Sequence, residues 1–251
     1  MERLSSGKRI NSAMEDAAGL TIAHSLETKI KSLETAARNA NDAISLIHLG
    51  EGALDAVSSM LVRMRELATQ ALNGTYSNDD RENLQAEFSQ LSDEIDRISN
   101  NTFFNGISVI GQTLTKASSG YTDSAQTGST LSSGSSSGDN RLTFQIGATS
   151  SDSIKLTILD MSSTVIGASA TNATNSGALS TQSIDTLTDA SSALLSVDKA
   201  LKEVDTFRVG MGSVANRLDH TLENLYSRIE QQTAAKARIE DADYAGESAN
   251  L

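Results

Sequence analysis

Apolar positions recur every three or four residues near both ends of the chain and become sparse in its middle. Leu187, Ala190, Leu194, Val197, Leu201, Val204, Met211, Ala215, Leu218, Leu222, Leu225 and Ile229 step in threes and fours, with one lapse at Arg208. That spacing is the heptad seam of a helix packed on other helices. Toward the N-terminus, Ile22, Leu26, Ile30, Leu33, Ala40, Ala43, Ile47, Leu54, Val57, Leu61, Met64, Ala68 and Ala71 form a second stripe, and Leu84, Phe88, Leu91, Ile95 and Ile98 form a third. A helix with a single apolar stripe cannot bury it alone, so the two ends must return to each other. The predicted fold class is mainly α: an elongated antiparallel helical bundle with coiled-coil packing formed by both chain ends, plus a small β-rich central insertion. Leu91, Ile95, Leu201 and Leu218, all on these seams, are expected to be buried between helices.

Breaks in the pattern place the elements. Residues 1–13 are polar, with a break at Gly7, and read as an irregular lead-in. The first helix is predicted over 14–72, on the order of 80 to 90 Å at about 1.5 Å per residue. Gly50 lies on its stripe, where a missing side chain lets a neighbour come close. Asn73-Gly74 ends it. Ser77 followed by Asp80 is a capping-box-like start for a second helix closing near Asn100. Asn105-Gly106 beside Ile107, Val109 and Ile110 predicts a hairpin with a tight primed turn. Over 112–181 the composition shifts to Ser, Thr, Gly, Ala and Asn, and 118–138 reads as a linker. Alternation at Leu142, Phe144 and Ile146 and at Ile154, Leu156 and Ile158, with β-branched residues at 164–166, predicts three short strands. The last helix is expected from about 183 toward 237, followed by a polar, frayed tail over 241–251. Three domains follow: an N-terminal helical half (1–111), a Ser/Thr/Gly-rich central domain (112–181) and a C-terminal helical half (182–251).

Composition removes several function classes. The 251 residues include no Cys, Pro or Trp and only 4% aromatic residues, which favours thin helical packing without disulfides. A net charge of -12 argues against nucleic acid, whose phosphates demand a basic face. No apolar run is long enough for membrane insertion, and no charged-then-apolar signal follows Met1. His24, His48 and His220 lack the i, i+4 spacing of helical metal ligands, and Asp79, Asp80 and Glu82 lack a calcium loop, so no metal is expected. No catalytic constellation or phosphate loop stands out, and neither an enzyme nor a cofactor is expected.

Several segments, in order, resemble bacterial flagellins: LSSGKRINSAMEDAAGLTIA from Leu4, ARNANDAISLIHLGEGAL from Ala37, RMRELATQALNGTYSNDDR from Arg63, EIDRI with FFNG from Glu94, LTFQIGA from Leu142, NRLDHTLENL from Asn216 and ARIEDADYA from Ala237. The resemblance covers both helical ends and the first central strand. Flagellins of this kind continue a few tens of residues past both ends of the present sequence. The resemblance therefore implies a core fragment lacking both terminal segments, expected by itself to stay a soluble monomer with a mobile lead-in and tail.

The function implied is that of a structural subunit that self-assembles into the bacterial flagellar filament for motility, through heterologous contacts that do not close. The implied partners are other flagellin subunits, a flagellar export chaperone and a vertebrate Toll-like receptor; the implied location is secreted, extracellular, at the flagellum or cell surface. In receptor-recognised flagellins the RxRELA segment and a facing glutamate form the contact, which maps onto Arg63, Leu67 and Glu87 as a receptor or subunit interface. From spacing alone these residues read as a solvated helical face, on which Arg63 and Leu67 are four apart and expected to be exposed together. Two alternatives stand beside this reading: a flagellin-like surface protein binding extracellular polysaccharide or acting as an adhesin, and a hook-filament junction protein. The continuous NANDAISLIHLGEGAL and LTFQIGA matches favour flagellin over the junction protein.

Overall fold

The computed structural model describes residues 6–111, 141–149, 151–168, 177–242 and 245; the 118–138 stretch and most of the 241–251 tail lie outside them. Among the described residues the helices are α1 (Ala17–Ala71), α2 (Asn78–Asn101) and α3 (Leu187–Glu240). Two strand pairs, β1 (Phe103–Phe104) with β2 (Ile107–Ser108) and β3 (Arg141–Gln145) with β4 (Ser153–Thr157), and a 3-10 turn at Leu179–Thr181 complete the regular structure. The fold is mainly α with small strand pairs in the middle, as the periodicity predicts.

Local signals act where they stand. The Ser77 hydroxyl accepts from the Asp80 N–H at 3.2 Å, and the Asp80 carboxylate accepts from the Ser77 N–H at 3.0 Å, which closes the capping box at the start of α2. Asn105 and Gly106 take φ values of 50° and 78°, the two left-handed residues that a primed turn between β1 and β2 requires. Residues 164–166, expected as a third strand, instead form a turn in which the Val165 and Ile166 N–H groups both donate to the Ser162 carbonyl at 3.0 Å. The preceding residue decides this: the Asp96 carboxylate on α2 accepts from the Ser163 N–H and hydroxyl, each at 2.6 Å, and holds the segment against a helix.

The structure divides into two compact units, each using part of α1 and part of α3. One contains Ser45–Leu142 and Leu156–Val214. Its core takes Leu54, Val57, Leu61, Met64, Leu67 and Ala68 from α1, Phe88 and Ile95 from α2, and Val197, Ala200, Val204, Phe207 and Met211 from α3. Arg65 Nε meets Asp198 Oδ1 at 2.6 Å, and Arg208 Nη2 meets Asp55 Oδ1 at 3.2 Å. Ten residues forward on α1 thus correspond to ten back on α3, so the two segments run antiparallel. The lapse at Arg208 is resolved here, since Phe207 takes the seam position and Arg208 reaches across to α1. At Gly50 an added Cβ would sit 2.7 Å from Met211 Cε and 2.9 Å from Val109 Cγ1, so its bare backbone is what admits these neighbours. Ile95 is buried as expected, whereas Leu91 and Leu201 are only half-buried because they sit at the seam's edge beside buried Ser92 and Ala200.

The other unit contains Met1–Ile44, Thr143–Lys155 and Ala215–Leu251. Ala23, Leu33, Ala36, Ala37, Ala40 and Ala43 of α1 are buried, as are Leu218, Leu222 and Leu225 of α3 and Ile154 of β4. The stripe slips by one residue at its start, leaving Ile22 exposed and Ala23 covered. The lead-in is tied down. Lys8 and Asp241 form an antiparallel bridge, the Arg9 N–H donates to the Glu240 carbonyl at 2.6 Å, and the Ala242 N–H donates to the Gly7 carbonyl at 3.0 Å. Unpaired backbone groups near a helix end are costly to leave bare, and here two flanking segments satisfy one another.

Candidate functional site

The segment from Arg63 to Leu67 meets both of its helical neighbours. About 100° of rotation separates consecutive residues on a helix, so Arg63 and Arg65 leave α1 on different sides. Arg63 Nε donates to Glu87 Oε1 of α2 at 2.8 Å, and its Nη1 donates to Glu66 Oε2 at 3.0 Å. Arg65 turns the other way, to Asp198 of α3. Both carboxylates near Arg63 favour its charged form, Glu87 more than Glu66, and raise its pKa above the ordinary value. Between the two arginines Met64 enters the core.

Arg63 and Glu87 stand at the surface, with side chains 47% and 44% exposed. Leu67 does not join them, because it is fully buried. Four residues advance about 40° beyond a full turn, and here that step carries the side chain from the rim of the seam into it. The structure thus brings Arg63 and Glu87 together with Glu66, and places Leu67 beneath them. The spacing argument missed Arg65, whose only sequence signal is an acid, Asp198, flanking the seam of α3.

Arg81 closes the same region and was also not singled out by spacing. It is buried, and its guanidinium donates to the carbonyls of Ala71 at 3.0 Å and Asn73 at 3.3 Å and to Asn78 Oδ1 at 3.3 Å. The last turn of α1 carries no basic residue of its own. A cation supplied from α2 satisfies orphan carbonyls there and complements the negative helix end.

Comparison with known proteins gives the region its context. The model of the bacterial flagellin N-terminal helical region matches residues 1–115, and that of the C-terminal helical region matches residues 194–251. The chain is 39% identical to a flagellin of Halalkalibacterium halodurans over 98% of its length and 78% of that protein's. It is 37% identical to a flagellin of Bacillus subtilis over 98% and 81% of the two chains. Among solved structures, Bacillus cereus flagellin superposes with a TM-score of 0.56 at 32% identity, over 75% of this chain and 88% of that one. A flagellar hook-associated protein of Vibrio parahaemolyticus shares the fold at a TM-score of 0.68 but only 14% identity, over 90% and 100% of the chains. That second likeness shows the fold alone. The matches at both helical ends and along nearly the whole chain show that this protein belongs to the bacterial flagellins, structural proteins and not enzymes, and is a self-associating subunit of the flagellar filament.

Proposed function

We propose that, in this filament subunit, the surface around Arg63, Glu66 and Glu87 is where the chain is read by other proteins: neighbouring subunits in the filament and a vertebrate Toll-like receptor when the subunit is free. The observation that supports it is the pair itself. Arg63 and Glu87 come from two helices, are held 2.8 Å apart and stay about half exposed, so a partner meets an arginine already fixed in place. A pre-positioned Arg loses less freedom on binding than a free one and is a frequent interface anchor. Leu67 supports the surface from below and does not touch the partner. An export chaperone and release to the cell exterior complete this reading of the route by which a subunit reaches the filament.

Receptor-reporter cells provide the test. Arg63→Ala and Glu87→Ala are expected to lower the response at least tenfold, as truncation of a 1.4 kcal/mol anchor does. Their thermal unfolding should stay close to that of the parent, because an exposed ion pair contributes about 0 to 1 kcal/mol. An unchanged response in both variants refutes the surface as a receptor contact, and so does an equal loss in a distant charge variant such as Lys29→Ala.

A further inference from the structure

A second surface lies in the unit formed by Met1–Ile44, Thr143–Lys155 and Ala215–Leu251, on the outer side of α3. A groove of about 430 Å³ runs between the β3–β4 connection and one stripe of α3, where Arg217, Thr221, Asn224 and Arg228 follow at intervals of three and four. Hydrogen bonds hold the described residues of the loop wall. Gln145 Nε2 donates to the Gly147 and Thr149 carbonyls, the Asp152 carboxylate accepts from the Thr149 hydroxyl at 2.6 Å, and Asn39 of α1 donates to the Gln145 carbonyl at 3.0 Å.

Many of the chain's cations already have a carboxylate partner. Arg63, Arg65, Arg97 and Arg208, and Lys8, Lys31, Lys199 and Lys236, are all ion-paired. The Arg217 and Arg228 guanidinium groups make no ion pair or hydrogen bond among the described residues, and neither has an acid three or four positions away on α3. The Asp152 carboxyl in the opposite wall is already held by Thr149, with the Arg228 charge a smaller influence. His220 at the rim faces Glu223 at 3.5 Å. Two guanidinium groups with the Asn224 amide between them form a donor set for carboxylates, while the Thr221 hydroxyl is already donated to the Arg217 carbonyl at 2.7 Å.

The chain also carries the complementary group. Asp79, Asp80 and Glu82 crowd the first turn of α2, and all three are exposed. The base among them, Arg81, is buried and turned onto α1. Asp80 is engaged by Ser77, which leaves the Asp79 and Glu82 carboxylates without an ion pair among the described residues.

We infer that the groove between the β3–β4 connection and α3 is a subunit–subunit contact that receives the acidic first turn of α2 from a second copy of this chain, with Arg217 and Arg228 binding Asp79 and Glu82. The inference rests on the filament-subunit reading and names one of its contacts. The occupant is a second copy because the family self-associates, and because this chain exposes a carboxylate cluster that its own bases leave unpaired. Such a contact also offsets, at one place, the repulsion between subunits that each carry -12 charge.

Charge reversal with rescue tests it, using the complete gene product that contains this sequence and its growth onto sheared filament seeds. Arg217→Glu with Arg228→Glu, or Asp79→Arg with Glu82→Arg, should each raise the critical concentration about tenfold or more, the usual effect of breaking a close interfacial charge pair. All four changes together should return it to within about threefold of the parent. Lys29→Glu with Lys202→Glu alters net charge as much as the arginine pair does and should leave growth nearly unchanged. Arg217→Gln with Arg228→Gln, checked for retained helix by circular dichroism, should weaken growth without a risk of repulsion-driven unfolding. Normal growth of either arginine variant overturns the groove, failure of the fourfold variant to recover overturns the α2 turn as its occupant, and an equal loss in the lysine variant reduces the effect to net charge. A parent chain that never extends seeds refutes the filament reading beneath it.

Discussion

Arg81 shows how much a single side chain carries in this fold. Its guanidinium is buried and feeds two carbonyls at the end of α1, so Arg81→Ala leaves acceptors without donors in a covered place. The expected loss is about 1 to 3 kcal/mol per orphaned group, read as a lower midpoint in urea unfolding. Arg97→Ala is the control, because among the described residues Arg97 pairs only with Glu94 one turn back on the exposed face of α2, and it should cost less than about 0.5 kcal/mol. Equal shifts for the two would show that the buried guanidinium is not a structural cap. The same scale explains what the sequence did not disclose. Nothing local marks Arg81 as buried, and Leu67 differs from Arg63 by only about 40° of helix rotation, so the position of the neighbouring helices alone separates a rim residue from a core one.

At the scale of elements, local chemistry was legible and tertiary pairing was not. The Ser77–Asp80 box and the Asn105-Gly106 turn depend on residues within four positions of one another, and both form as read. Residues 164–166 carry strand propensity but form a turn, because Asp96, far away in sequence, captures Ser163. The lead-in reads as irregular yet pairs with the end of α3, and there an ion network acts as a clasp. Lys8 meets Glu240 at 2.5 Å, Lys236 bridges Glu240 at 3.5 Å and Glu27 at 3.3 Å, and Lys31 meets Glu27 at 2.9 Å. Hydrogen bonds from Lys31 and then Lys236 hold the Glu27 carboxyl down from the ordinary 4.5 to about 2, and Lys8 chiefly holds Glu240 low. A carboxyl depressed in the folded state contributes stability that is fully present above its unfolded pKa and is lost as pH falls through the folded one. The clasp should therefore weaken between about pH 4.5 and 2. Amide-exchange protection at Lys8–Ile10, taken relative to the intrinsic rate at each pH, is expected to fall over that interval in the parent, and to be already low and less pH-dependent in Glu27→Gln with Glu240→Gln. Protection that does not change with acid in the parent would remove the clasp.

For the whole molecule, the heptad stripes identified the helices and their antiparallel return, while the shift at Phe207 and Arg208 required the packed partner to be seen. The ordered set of motifs carried the family, and the comparisons place the chain among filament-forming flagellins. Core packing should dominate stability at this scale. Leu61→Ala and Val204→Ala both open space in the same fully buried core, and losses of about 2 to 5 kcal/mol for the leucine and somewhat less for the valine are expected from chemical denaturation. Shifts below about 0.5 kcal/mol for both would mean that the seam is not a packed core. The central claim is that this chain is the core of a subunit that builds the flagellar filament, and electron cryo-microscopy of cells whose one flagellin gene encodes the complete product containing it is the most direct measurement. The account predicts filaments whose subunit density is filled by α1, α2 and α3 of this chain; bald cells, or filaments whose density this chain does not fit, would contradict it.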